Sequence, residues 1–499
     1  MVLPSTEDAP MYRRTEPPSA DFDAGGLLPP ETRTRCEKSW AGPFHRHALP
    51  ILLGVEDEFA DLFNSEMGRP NRSVSLGRGV LILKDMEDRT DEEVLGNLEC
   101  DTRYWWAFQM DPRGVHLCQK TLHNFRVKLM EKSKSKLAYR EVTDRLIESL
   151  AVKVARQRLD STHILSNFAV LNRLGIFCET LRIFLREVKK VDEKLYETIP
   201  AGVRRRHGEG ADYHDARREE GARRLTVVAR DVFRLVRLFE GNAAVTALAE
   251  WKLLTRLFAE QCEVRPDAKG PDSGDEDRGD GEAPVVLKAP KDVSSASLQT
   301  PHDPDVTYSG HKGKGYEVQV SETCAEANVA QMITNVEVTR ACGSDAKATV
   351  PMVEDLSKAG HKPDELVADT GYSSAQNAAD LAASDVNLLA PCPAPAKPDP
   401  EKEYPPPAEK CPKDREGAAE WLRNQEASPS FPKRYAIRAG GEATNSELKR
   451  AHGMRKLRVR GEDRVKLAIY FKALACNLKR ALRWWLQCMR PAEGAVALG

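Results

Sequence analysis

Three features of the 499-residue sequence predict a mixed α/β fold class. Polar and apolar residues alternate in Gly315-Tyr316-Glu317-Val318-Gln319-Val320, the period of a half-buried strand. Between residues 332 and 390, short β-like runs alternate with helix-like stretches. Long helical periodicities flank this region, from Leu52 to Lys132 and from Asn445 to Trp485. The chain is too long for one compact core, so about two to four domains are expected.

Residues 1–48 are rich in proline, charge and Ser/Thr, and are expected to be disordered. Residues 49–135 read as a helical domain. Within it, Thr90-Asp91-Glu92-Glu93 matches a capping box ahead of Val94, Leu95 and Leu98. A helix near Leu117 to Met130 carries Lys120, His123, Arg126 and Lys128 as its polar residues. Spacing alone fits a plain helical bundle as well as a helix-turn-helix.

Residues 136–162 read as an amphipathic helix running into a strand that carries Asp160. Residues 163–262 form a helical insertion, with helices over Leu165–Val188 and Arg217–Ala259. Residues 263–300 are acidic and rich in Gly, Pro and Ser, as in a flexible linker. Residues 301–391 supply strands at Gly315–Val320, Met332–Thr339, Glu365–Ala368 and Val386–Ala390. Helices are expected there at Asp345–Ala359 and Ser374–Ala383. Three antiparallel-type strands followed by alternating helix and strand is the pattern of an RNase H-like core. Residues 392–432 read as a proline-rich loop, and residues 433–490 as a helix bearing Glu442 followed by basic helices.

The composition excludes several function classes. No run of eighteen apolar residues exists, so no membrane span is expected. The first residues lack an apolar signal core, and eleven cysteines scattered singly fit a reducing cytoplasm better than a disulfide framework. Cys392 and Cys411 do not by themselves make a zinc site. Gly310 to Gly315 has no GK[ST] ending, so it is a poor nucleotide loop. Net charge is −1, but residues 431–490 hold 16 Lys/Arg against 4 Asp/Glu. Such asymmetry suggests a polyanionic partner, with a solvated helical face as the plain alternative.

The densest chemistry lies in Tyr435-Ala436-Ile437-Arg438-Ala439-Gly440-Gly441-Glu442, with Lys449 seven residues on. On a helix these intervals keep Arg438, Glu442 and Lys449 near one face. Two aspartates stand in strand-like settings, Asp160 in Leu159-Asp160-Ser161-Thr162 and Asp369 in Ala368-Asp369-Thr370-Gly371-Tyr372. Two Asp and one Glu make the ligand set of a two-metal phosphoryl-transfer centre. Taken singly, Asp160 also reads as a cap or turn residue, Asp369 as a turn residue, and Glu447 competes with Glu442.

In their order and spacing these blocks resemble bacterial insertion-sequence DDE transposases of the group with a Tyr-x2-Arg-x3-Glu-x6-Lys signature. Asp303-Pro304-Asp305, the run from Gly310 to Tyr316, and Val336-Glu337-Val338-Thr339 add to the likeness, which spans roughly residues 50 to 485. It implies that Asp160, Asp369 and Glu442 are catalytic and bind two Mg2+ ions, with Mn2+ as a substitute. It implies metal-dependent cleavage at terminal inverted repeats and strand transfer into target DNA by a cytoplasmic, nucleoid-associated protein acting as a dimer or larger assembly. Tyr435, Arg438 and Lys449 would contact DNA near the cleaved strand, and the resemblance makes the N-terminal helices a DNA-binding domain. The stretch with Arg450, Arg455, Lys456, Arg458 and Arg460 suits backbone binding without sequence readout. For Tyr435, packing beside Phe431 is the alternative. A catalytically silent DNA-binding remnant, or a nuclease that does not join strands, would share these residues.

Overall fold

The computed structural model describes residues 12–15, 24–63, 71–111, 117–208, 218–264 and 285–489. The fold is mixed α/β. Its strands are β1 (Arg156–Ile164), β2 (Cys262–Val264), β3 (Val285–Leu287), β4 (Thr307–Ser309), β5 (Gly313–Thr323), β6 (Ile333–Arg340), β7 (Glu365–Ala368) and β8 (Asn387–Leu389). Six of them form one sheet, in which β5 lies between β6 and β1, and β7 and β8 follow beyond β1. β5 runs antiparallel to both β1 and β6, whereas β7 is parallel to β1 and β8 parallel to β7. β4 pairs with the start of β5.

Both faces of the sheet are covered, which explains why β5 is buried from Gly315 to Thr323 on either side of its alternation. On one face, Leu159, Leu366 and Leu388 pack against the helices Asp345–Lys358, Ala375–Ala383 and Arg415–Ala427 through Met352, Leu356, Ala378 and Trp421. On the other, Val318, Val320 and Val336 meet the long helix Glu462–Met489 through Leu474 and Leu478. Asn477 of that helix pairs with both backbone groups of Ile333, its Oδ1 accepting from the N–H and its Nδ2 donating to the carbonyl, each at 2.8 Å.

The N-terminal helices belong to this same core. Ile82, Leu122, Tyr139 and Leu146 join the sheet and the long helix in one cluster, and Tyr139 donates to the Ile333 carbonyl at 2.5 Å. The capping box forms as the sequence implied: Thr90 Oγ1 accepts from the Glu93 N–H at 3.2 Å, and Glu93 Oε2 from the Thr90 N–H at 2.7 Å. The helical insertion instead has its own core, built on Phe177, Leu181, Phe184, Val232, Leu235 and Leu254.

Several stretches differ from the sequence reading. Residues 1–11 and 16–23 of the segment expected to be disordered lie outside the described residues. The rest of it is largely helical: Pro30 starts a helix to Glu37, and Phe44 is fully buried with its ring edge against Phe108, centroids 5.2 Å apart. Proline fits the first turn of a helix, so its presence there does not oppose order. The first helix of the insertion begins at Arg173, not Leu165, where the Asn172 side chain caps it by accepting from the Gly175 N–H at 2.7 Å.

The centre of the acidic stretch, residues 265–284, lies outside the described residues. Its two ends, however, are joined as the antiparallel pair β2–β3. The proline-rich loop contains a full helix, Arg415–Ala427, whose Ala418, Trp421, Leu422 and Gln425 are buried at i, i+3, i+4 and i+7. That face was hidden by the charge around it. Helix is also interrupted between Ala451 and Glu462, where Gly453 and Gly461 take left-handed φ values of 61° and 85°. All eleven cysteines are free thiols. Among the described residues, no helix is long and apolar enough to cross a membrane.

Candidate active site

Sheet register brings the first two acids together. β1 and β7 are parallel with Leu159 opposite Ala368, so Asp160 and Asp369 are the next residues along two adjacent strands. They lie at the carboxyl end of the parallel pair, where open α/β sheets place their sites. The third acid arrives on the helix Ala439–Ala451, which continues from two short helical segments, Phe431–Tyr435 and Ala436–Arg438.

Two glycines let that helix come close to β1. A Cβ at Gly440 would collide with the Arg158 guanidinium, and one at Gly441 would lie 3.3 Å from the Asp160 Cβ. Arg158 cannot easily give way, because it donates to Glu322 Oε2 at 2.7 Å and to the Ile437 carbonyl at 3.1 Å. Gly440→Ala is therefore expected to push the helix outward at an overpacking cost of about 1–3 kcal/mol. The melting temperature of the variant checks this; an unchanged value would show that the spacing is not critical.

With the helix seated, one guanidinium meets all three carboxylates. Arg438 donates through Nη1 to Glu442 Oε1 at 2.6 Å, and through Nη2 to Asp160 Oδ1 at 3.2 Å and Asp369 Oδ2 at 3.4 Å. Asp160 also accepts from the Ser161 N–H at 3.0 Å and from Asn445 Nδ2 at 3.1 Å. Asp369 Oδ1 accepts from the Gly371 N–H at 2.7 Å, so its turn-forming role and its place in the acidic group coexist. Burial pushes the Asp160 carboxyl above its usual range, aided by the like charges of Asp369 and Glu442 and opposed by Arg438. Burial pulls Arg438 down, but Asp160, Tyr435 and Asp369 outweigh it and hold the guanidinium charged.

The basic residues named from the sequence divide. Lys449 is half-buried near the site; burial lowers its pKa, with Arg455 and Lys312 adding to the effect and Glu317 opposing it. Arg450, Arg455 and Lys456 are exposed. Arg458 is committed to the protein, donating to Asp88 Oδ1 at 3.0 Å, and Arg460 donates to the Asn167 carbonyl. The reason is local: residues 455–459 run extended beside the chain leaving β1, with Leu457 N–H donating to the Leu165 carbonyl at 2.7 Å. Leu457 then points inward and the cations outward toward neighbouring loops. Tyr435 stacks on Phe431, rings 5.2 Å apart and 10° from parallel.

Glu447, the rival of Glu442, faces elsewhere. Its Oε2 accepts from Arg480 Nη2 at 2.9 Å. With His452 and Cys476 it forms a group whose ligand atoms lie within 4.8 Å of one another, among the described residues. Arg480 already neutralises Glu447 there, and burial pushes the Cys476 thiol up to about 12, so the group is balanced without a metal cation.

Four features escaped the sequence reading. Asn445 has a signal, since it follows Glu442 by one helical turn. The Gly440-Gly441 pair has one too, as glycines inside a helix mark close approach. Asp345 has none: it accepts from Ser161 Oγ at 3.3 Å and Gln319 Nε2 at 2.8 Å beside the site, yet in sequence it is an ordinary acid opening a helix. Lys312, whose Nζ lies 2.6 Å from Glu317 Oε1 and 3.4 Å from Ser161 Oγ, is equally unmarked.

Chemically, the acidic group concentrates carboxylate oxygens around one guanidinium. Its donors are hard oxygens, which suit Mg2+ or Mn2+, and a positive group already lies among them. No curated protein and no solved structure matches the chain. A family model described as a transposase DDE domain matches residues 408–482, a stretch that includes Tyr435, Arg438, Glu442 and Lys449 and lies wholly C-terminal to Asp160 and Asp369. Over that stretch the chain is similar to transposase DDE domains.

Proposed function

We propose that this chain is a DDE transposase that cleaves DNA at the inverted repeats of its element and joins the freed ends to target DNA. The observation that carries the reading is the meeting of Asp160, Asp369 and Glu442 around Arg438, from three positions far apart in sequence. The sheet order β6-β5-β1-β7-β8, with only β5 reversed, supports an RNase H-like core in which the acids close the carboxyl end of the central strands. DDE domains generally use divalent metal ions. Here Asp160, Asp369 and Glu442 would hold two Mg2+ ions, which when bound activate the attacking oxygen and stabilise the leaving one.

The remaining work falls to the chain itself. Arg438 and Lys449 neutralise and orient the scissile phosphate from the helix side. Asn445 and the Ser161 N–H fix the Asp160 carboxylate. In the first step a water oxygen bonds to phosphorus and the P–O3′ bond breaks, leaving a 3′-OH and a 5′-phosphate. In the second, the 3′-oxygen attacks a target phosphodiester, its proton leaves to solvent, and a target 3′-oxygen departs. Exposed Arg450, Arg455 and Lys456 hold the backbone of double-stranded DNA outside the centre. The N-terminal helices contact the same DNA in this reading, although Lys84 and Arg126, which line a cleft of about 440 Å3 facing the C-terminal basic segment, are paired with Asp91 in the protein alone.

The test is cleavage of labelled DNA from the flanks of the element in Mg2+ or Mn2+, with Asp369→Asn beside the native chain. Metal-dependent nicking at the repeat ends, lost in the variant, is the expected result. Binding without cleavage in either metal would mark a silent DNA-binding remnant, and nicking without strand joining would mark a nuclease.

A further inference from the structure

Arg438 occupies the place of the cation whose ligands it touches. Its Nη1 and Nη2 take one oxygen from each of Asp160, Asp369 and Glu442. The three carboxylates outnumber the one guanidinium that meets them. A divalent ion entering beside Arg438 would have to share those oxygens with it and would meet its like charge at close range. The two cations therefore compete.

The hold on Arg438 is also incomplete. Its Nε is buried without a hydrogen-bond partner, and two of its three carboxylates lie toward solvent, with side-chain exposures of 36% for Asp369 and 66% for Glu442. Arg158, two positions before Asp160 on β1, makes the contrast. Its Nε and Nη2 both reach Glu322 Oε2, at 2.7 and 2.5 Å, and its Nη1 donates to the Ile437 carbonyl at 3.1 Å. Arg158 is locked in the structure; Arg438 is not.

From this we infer that Arg438 is an exchangeable counter-ion: it gathers the three carboxylates in the DNA-free protein, leaves them when metal binds, and turns its guanidinium to the phosphate of the bound strand. The inference rests on the transposase reading of the site. It makes metal and DNA mutually supportive, because a phosphate that draws Arg438 away exposes the ligands that metal needs. Before DNA arrives, the same contact weakens metal binding and guards against stray cleavage.

The experiment measures Mn2+ binding to the full chain without DNA, from the loss of the free-ion paramagnetic resonance signal. Arg438→Gln should bind Mn2+ about tenfold more tightly than the native chain, a typical magnitude for coupled sites. Arg438→Lys, which keeps one charge but loses the fork, should fall between them and serves if the glutamine variant does not fold. Unchanged or weakened binding in Arg438→Gln would overturn the inference, since an arginine needed only to assemble the carboxylates lowers affinity when removed. Asp369→Asn separates the two readings. If it leaves Mn2+ binding unaltered in both the native and Arg438→Gln chains, the metal is elsewhere and the proposed centre itself falls.

Discussion

Asp160→Asn is expected to leave the protein folded and to remove DNA cleavage. Asparagine has the shape of aspartate, and the surroundings accept the change. The Ser161 N–H at 3.0 Å can still donate to the amide oxygen. Asn445, which now donates Nδ2 to Asp160 at 3.1 Å, has a buried Oδ1 without a partner. Turning its amide over would present that oxygen to the new amide N–H group. Burial already favours the neutral form of Asp160, so removing the charge costs the fold little. What is lost is a hard anionic oxygen at the phosphate. If charge stabilisation by bound metal is worth several kcal/mol, the cleavage rate should fall on the order of 10^3-fold or more, at about 1.36 kcal/mol per decade. Single-turnover cleavage rates beside melting curves check this. A variant within tenfold of the native rate would remove Asp160 from the centre.

The largest stability effect is expected at Arg480. It joins the sheet, the long helix and the helix carrying Glu442. Its Nη1 donates to Glu322 Oε1 at 2.5 Å and to the Gln331 carbonyl at 2.9 Å, while Nη2 reaches Thr444 Oγ1 and Glu447 Oε2, both at 2.9 Å. Burial pulls its pKa down, but the surrounding groups, Glu322 and Glu447 among them, outweigh that and raise it on balance. Arg480→Met fills the space and leaves Glu322, only 1% exposed, with Arg158 and Thr444 as its partners. Breaking a buried pair from one side costs about 3–5 kcal/mol. Because Arg158 remains, the lower end of that range is expected. Urea unfolding monitored by circular dichroism should show the midpoint falling with an unchanged slope. A loss under about 1 kcal/mol would mean that Arg158 alone satisfies Glu322.

Much of this site was legible because it depends on short-range spacing. The steps from Tyr435 to Arg438, Glu442 and Lys449 are helical intervals, while the preference for Glu442 over Glu447 came from the likeness to the Tyr-x2-Arg-x3-Glu-x6-Lys signature. Other features failed for identifiable reasons. Arg458 and Arg460 look like free cations in sequence, yet an extended backbone turns them onto Asp88 and the Asn167 carbonyl. The helix Arg415–Ala427 was concealed because proline and charge around it outweighed four well-spaced buried positions. Phe44 was read as part of a disordered leader because its partner, Phe108, lies on a distant helix.

By itself, then, the sequence determined the mixed α/β class, the strands bearing Asp160 and preceding Asp369, the capping box at Thr90, and the helix that carries Glu442. Each of these is a matter of periodicity or local chemistry, and each is written in neighbouring residues. Only the tertiary structure decided that Leu159 stands opposite Ala368, that Gly440 and Gly441 admit the helix to β1, and that Asp345, Lys312 and Asn445 surround the centre. Register and close approach arise from contacts between elements more than a hundred residues apart, where no local pattern constrains which side chains meet. The same holds for Arg438: its spacing is local, but its position among three carboxylates is a property of the folded sheet and helix together.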